Sequence, residues 1–208
     1  MKAFLLNQEI DAIHTRIREF EKNTGTELLV IVAQQSDEYP AAPWRFGILF
    51  GLATTLCFAQ FYEFHQGHFW PILMMMLTLL GTFIGRHPGA KKLALSDSEV
   101  DRETFEKALE CFHSMGTSRV SHKTTAMIMV SILERKIHVL VDDKLKTQIS
   151  QNELDELVTI MRSHFKLRAM GDGFIRSIES LEEKILKDFG GKVSDVNPAE
   201  LKDQIIFI

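Results

Sequence analysis

The chain has 208 residues, 25% of them charged and 45% hydrophobic, and carries a formal net charge of −4. Neither half is strongly basic, which argues against nucleic acid as a partner. Cys57 and Cys111 lack metal-ligand spacing and are too few for a disulfide framework, while the length suffices to bury a core without covalent staples.

In chain order, the opening MKAFLLNQEIDAIHTRIREF does not read as a secretory leader, because Asn7, Gln8, Glu9 and Asp11 interrupt its apolar positions. It reads as a helix over 6–23 instead. Leu6, Ile10, Ile13, Ile17 and Phe20 form one apolar stripe, and Gly25 stands where a helix C-terminus needs a left-handed residue. TELLVIVAQ follows, a short, continuous, β-branched run that suits a strand buried on both faces.

Two uncharged runs come next, from Phe46 to Phe61 and from Phe69 to Gly85, on either side of the loop EFHQGH. Each is roughly 16–19 residues long, against about 20 for a membrane-spanning helix. Neither run has a polar face. Trp44, Tyr62 and Trp70 sit at their ends, where an aromatic belt is expected. Arg45, Arg86, Lys91 and Lys92 flank the pair, and the loop between carries no basic residue. By the positive-inside rule both flanks face the cytoplasm. The competing reading is a helical hairpin buried in a soluble core.

Beyond the runs, Ser96–Glu99 and Ser150–Glu153 read as capping boxes. The first opens a helix with Phe105, Ala108, Leu109, Phe112 and Met115 on its apolar face; the second opens one with Leu154, Leu157, Val158, Met161 and Phe165. Between them, 124–135 and 136–143 read as two strands joined by a tight turn at Glu134-Arg135-Lys136. A last helix carries Phe174, Ile175, Ile178, Leu181, Ile185 and Phe189 and stops at Gly190-Gly191; the terminal QIIFI is a further short strand or a packed tail. The first strand needs neighbours, and these can come only from beyond the apolar runs. The expected fold is therefore α/β, a mixed sheet flanked by helices and interrupted by a two-helix transmembrane hairpin. Residues 1–42 and 88–208 form the split domain and 43–87 the hairpin.

The segments TGTELLVIVAQQSDEY, MIMVSILERKIHVLVDD, MGDGFIRSIESLEEKILKDF and DVNPAEL, in this order, resemble the TPM-domain family, the group associated with thylakoid acid phosphatase and photosystem repair factors. Bacterial members with a hairpin after the first strand are especially similar. The chain has Thr124-Thr125 where the family usually has Thr-Gly, and Phe189-Gly190 where it often has Phe-Pro. The resemblance implies an acidic cleft that binds a divalent ion and, in some members, weak phosphatase activity.

Asp142 and Asp143 fall where the third strand ends, and Asp172 and Asp195 lie in later loops. Carboxylates so placed suit a hard cation, Ca²⁺ or Mg²⁺, if the fold gathers them; the competing reading is ordinary turn residues. His122 and His138 lie near the strands but lack a G-x-S-x-G nucleophile, and no phosphate loop, G-x-G-x-x-G or CxxC is present. His138 alternates with Ile137 and Val139 and reads as a solvated or hydrogen-bonded strand residue. Two functions are expected from this pattern. One is an accessory factor of the bacterial inner membrane, its soluble domain cytoplasmic, that binds the lipid bilayer and other membrane proteins in assembly, repair or regulation. The alternative is a metal-dependent phosphomonoesterase of the acid-phosphatase type.

Overall fold

In the computed structural model, which describes residues 5–61, 69–117, 124–189 and 205–208, the chain divides into two units. The first comprises Met1–Ser36 and Thr104–Ile208, the second Asp37–Glu103. Around the 43–87 stretch, the second unit also takes in 37–42 before it and the segment up to Glu103 after it.

The first unit is α/β, built on a mixed four-stranded sheet. Its strands are β1 (Glu27–Ala33), β2 (Thr125–Ser131), β3 (Lys136–Val141) and β4 (Ile206–Phe207), in the order β3-β2-β1-β4. β1 runs parallel to β2 in the register Glu27↔Thr125 to Ala33↔Ser131, and β4 runs parallel to β1 on its other side. β3 returns antiparallel to β2. Every residue of β1 and β2 is buried, as their unbroken apolar character requires of strands covered on both faces. β3 alternates, with Ile137, Val139 and Val141 buried and the residues between them half-buried. The strands are shorter than the sequence suggests. β2 stops at Ser131, and the connection is a four-residue turn, Ile132 to Arg135, with Arg135 in the left-handed region at φ 58°. The QIIFI tail supplies β4, anchored by the Ile208 amide on the Val32 carbonyl at 3.1 Å.

Helices α1 (Asn7–Thr24), α7 (Gln151–Lys166) and α8 (Met170–Phe189) share a core with β1, β2 and β3 that includes Ile13, Phe20, Val30, Ile128, Leu157, Phe174 and Ile178. α1 ends as its glycine predicts: Gly25 has φ 68° and its amide reaches the Glu21 carbonyl at 2.9 Å. Its start differs by one residue, because Leu6 is the N-cap and stands exposed while Leu5 is buried. On the second face of the sheet a smaller core joins Leu29, Ile31, Met127 and Met129 to Ala108, Cys111 and Phe112. Ala108 and Cys111 come from α5 (Asp97–Cys111), and Phe112 from the π-helical turn Phe112–Thr117 that follows it. The buried line of α5 is Thr104, Ala108 and Cys111, not Phe105 and Leu109. Phe105 is displaced to the side, where its ring meets His138 at 5.9 Å.

α1 and α8 are joined by a polar clasp inside their apolar seam. Glu182 is a buried residue whose carboxylate accepts from the Arg16 guanidinium and, at 2.7 Å, from the Asn23 amide. Both side chains of the ion pair are largely withdrawn from water, at 15% and 10% exposure for Arg16 and Glu182. Removing one partner leaves the other charge buried, which is the costly way to break such a pair.

The second unit contains α2 (Ala41–Phe61), α3 (Phe69–Ile84) and α4 (Pro88–Ala94) and the start of α5. α2 and α3 pack antiparallel through small residues. A Cβ placed on Gly47 would meet the Thr82 hydroxyl oxygen at 2.1 Å, and one on Gly51 the Thr78 hydroxyl at 2.3 Å. At the open end of the pair, a Cβ on Gly85 would lie 3.0 Å from the Pro43 α-carbon. Most of the remaining surface of both helices is apolar and exposed, including Ile48, Leu52, Leu56, Ile72, Met76 and Phe83, with Arg45 and Gln60 as exposed polar residues of α2. Of the described helices α2 alone is long and apolar enough to cross a bilayer; α3 qualifies only when joined to α4, from which it bends by 116°.

The clasp makes a direct prediction. Glu182→Ala should lower the unfolding free energy by about 3 kcal/mol, read from denaturant melts of the full chain. A loss below about 0.5 kcal/mol would show the pair to be screened like a surface one.

Candidate functional site

β3 places the acidic residues. Because it runs antiparallel, its C-terminal end lies at the edge where β1 and β2 begin, as the pairs Ala126↔Val141 and Glu27↔Thr125 show. The ligand-binding edge of an open α/β sheet is the opposite one, beyond the carboxyl ends of the parallel strands. Asp142 and Asp143 therefore sit at the other margin from the one that strand order alone suggests.

At that margin Asp142 is engaged by backbone. One carboxylate oxygen accepts from the Thr125 amide at 3.0 Å, and the other accepts from the Leu145 amide at 2.9 Å. The residue thus ties the start of β2 to the first turn of α6 (Asp143–Lys146), which it caps. Asp143 points outward, 98% exposed, within 3.1 Å of Lys146. Asp172 is exposed in the first turn of α8, and Asp195 lies outside the described residues. Among the described residues, no three His, Cys, Asp or Glu side chains converge in a way that could hold a metal ion.

The carboxyl edge of the sheet carries a different acid. Glu134, in the β2–β3 turn, accepts from the Ser131 hydroxyl and, at 3.0 Å, from the Ser36 amide just past β1. It closes this edge much as Asp142 closes the other, and a Glu-Arg pair between two strands was its only signal in the sequence. Glu182, also unmarked in the sequence, falls on the line of Ile178, Leu181 and Ile185, so helical period alone places it on the buried side.

His138 forms a hydrogen bond between Nε2 and the Thr104 hydroxyl at 2.9 Å, a structural tie between β3 and α5. His122 lies outside the described residues. Burial pushes the Cys111 thiol above its ordinary range, which makes it a poor nucleophile. The Glu153 carboxyl is held below its ordinary range by the Ser150 amide and hydroxyl, which donate to it at 2.9 and 2.8 Å; this is the second capping box. The first box is only half closed. The Glu99 amide reaches the Ser96 hydroxyl at 3.3 Å, while the Glu99 carboxylate pairs with Arg45.

A groove of roughly 270 Å³ runs along β3, with Val139, Val141, Lys146, Ile149, Gln151 and Leu154 in its walls.

The fold is similar to that of the BA42 protein from the psychrophilic bacterium Bizionia argentinensis, solved by NMR, with a TM-score of 0.58 and 17% identity over 98% of this chain and 95% of that one. At that identity the likeness extends to fold alone. No family model matches the chain, and no curated protein does.

The contrast between the neighbouring aspartates can be measured. Asp142→Ala should cost about 2 kcal/mol, since it uncaps α6 and leaves the Thr125 amide without its acceptor. Asp143→Ala should stay within about 0.5 kcal/mol of the parent. Equal, small effects would remove Asp142 from the framework of the sheet.

Proposed function

We propose that the chain is a membrane-anchored accessory protein, held in the bacterial inner membrane by the α2–α3 hairpin, with its α/β unit in the cytoplasm to engage other membrane proteins. One observation carries this reading: the apolar surface of the hairpin is turned outward. Only 22% of the most apolar stretch of α2 is buried, whereas a core helix of a soluble protein is mostly covered. A contiguous exposed patch of this size calls for lipid or for an apolar partner. α2 is about 31 Å long and matches a hydrocarbon core of about 30 Å. α3, about 24 Å by the same rise, is accommodated by local thinning, with the bend into α4 marking the interface. There Lys91 and Lys92 stand beside Leu93, which is 80% exposed. This is the arrangement of a segment lying along headgroups, apolar side in and cations out.

The accessory role follows from tethering, which raises the effective concentration of membrane partners without new contacts. The resemblance to the TPM-domain family points the same way. The metal-dependent phosphatase remains the alternative that the resemblance implies, with Ca²⁺ or Mg²⁺ held by acidic loops. Its weakest point is Asp142, whose two oxygens already serve backbone amides.

Single cysteines at Gln66 and Ser98, in a Cys57→Ser, Cys111→Ser background, test the topology with a membrane-impermeant thiol reagent on intact cells. Position 66 should label, and position 98 only after lysis. Labelling of 98 but not 66 would invert the orientation, and equal labelling of both would remove the hairpin from the membrane. Hydrolysis of a generic phosphomonoester that depends on added Mg²⁺ or Ca²⁺ and is lost in Asp143→Asn would favour the phosphatase instead.

A further inference from the structure

Between Tyr39 and Ser96 the sequence holds one acidic residue, Glu63, in the loop between the two apolar runs. Every lysine and arginine of that span, Arg45, Arg86, Lys91 and Lys92, belongs to the opposite end of the hairpin. A Cβ on Gly85 would lie 3.0 Å from the Pro43 α-carbon, so Trp44 and Arg86 flank one close contact between α2 and the end of α3. Two polar contacts then hold the chain that leaves the hairpin to the chain that enters it. Arg45 pairs with Glu99 at 2.5 Å, and the Lys91 ammonium donates to the Glu38 carbonyl at 2.5 Å.

These contacts divide the four cations. The charge of Arg45 is met by a carboxylate. Lys91 bonds a neutral carbonyl, which fixes its position without cancelling its charge. Lys92 is exposed. Arg86 is exposed as well, and among the described residues its guanidinium meets no carboxylate. Trp44 and Leu93, at 56% and 80% exposure, stand in the same end of the hairpin. Cations beside bare apolar side chains require a partner that carries both an anion and hydrocarbon.

We propose that this end of the hairpin selects anionic phospholipids over zwitterionic ones, with Arg86 as the phosphodiester contact, Lys91 and Lys92 adding charge, and Trp44 and Leu93 entering the acyl boundary. The inference rests on the reading of the hairpin as a membrane anchor and adds the class of lipid. A guanidinium matches two oxygens of a phosphodiester at once. The lysine stems lie along apolar surface while their ammonium groups stay at headgroup level, and an indole settles at the same depth. A zwitterionic headgroup brings a cation of its own, which an unbalanced basic cluster repels. A soluble phosphate would satisfy Arg86 but leave Trp44 and Leu93 in water. Asp37, Glu38, Asp97 and Glu99 fall on the outer flanks of the span, so the cations come first along the chain on leaving the apolar runs.

Trp44 reports on this site directly. The full chain carrying Trp70→Phe is reconstituted in phosphatidylcholine vesicles in which part of the lipid is brominated, either phosphatidylglycerol or phosphatidylcholine. Bromine quenches indole fluorescence on contact, so the extent of quenching ranks the lipids beside Trp44. Brominated phosphatidylglycerol should be favoured about fivefold, from roughly one basic side chain's attraction to an anionic surface. Added salt should lower that preference. In Arg86→Gln, Lys92→Gln it should fall to within about twofold of parity. The converse chain, Trp44→Phe with Trp70 retained, should show no preference above neutral pH, because its end of the hairpin has no lysine or arginine and its histidines are uncharged there. Equal quenching by the two lipids at Trp44, an unchanged preference in the double variant, or the same preference at Trp70 would overturn the inference and leave the anchor standing. Absence of quenching by either lipid, in a chain that does not float with the vesicles, would remove the anchor itself.

Discussion

The structure depends on one pairing, β1 with β2. Every residue of β1 is buried, and its neighbour in the sheet begins almost a hundred positions later, with Glu27 opposite Thr125. A strand of this composition cannot stand exposed, so the chain has to leave the domain after β1 and come back to complete it. The cost of closing such a loop rises only slowly with its length. It is further reduced when the intervening segment brings its own ends together, as the close approach of Pro43 and Gly85 does. The insertion is therefore a self-closing hairpin, and the sheet closes around the strands that flank it.

Carboxylates secure the margins of that sheet. Asp142 binds the amides of Thr125 and Leu145 at one edge, Glu134 binds Ser131 and Ser36 at the other, and Glu182 holds α1 to α8. Asp142 and Glu134 satisfy backbone donors that the ladder and helices leave over, Glu182 meets side-chain donors, and an unmet buried donor is costly. The acids that looked most like ligands in the sequence are thereby divided. One is part of the framework, and Asp143 faces outward beside Lys146.

Much of this was legible in the sequence, for physical reasons that also mark where reading stops. Apolar runs marked β1 and β2: two-sided burial leaves the strand interiors to Leu28–Ala33 and Ala126–Val130, with the buried polar residues Glu27, Thr125 and Ser131 only at the ends. Gly25 gave the end of α1, because few other residues take a positive φ without strain. The face of α5 was misjudged by one residue: Thr104 is small enough to bury and bonds His138, and it displaces the larger Phe105. The start of α1 was misjudged in the same way, since either of two adjacent leucines could begin the stripe and only packing selects Leu5. The direction of β3 was implicit in the short turn before it, yet its consequence for Asp142 appears only once the strand order is known. Neither Glu134 nor Glu182 carried a motif; their roles come from what lies across space.

The central claim, that two separated stretches make one domain around an insertion, is tested most directly by removing the insertion. Trp44–His87 would be replaced by a short Gly/Ser linker, for which the proximity of Pro43 and Gly85 leaves little distance to span. The account predicts a product that is soluble without detergent, unfolds in one cooperative transition and keeps its near-ultraviolet circular dichroism. An aggregated product, or one with secondary structure but no fixed packing at several linker lengths, would contradict it. That result would make the apolar pair part of the core.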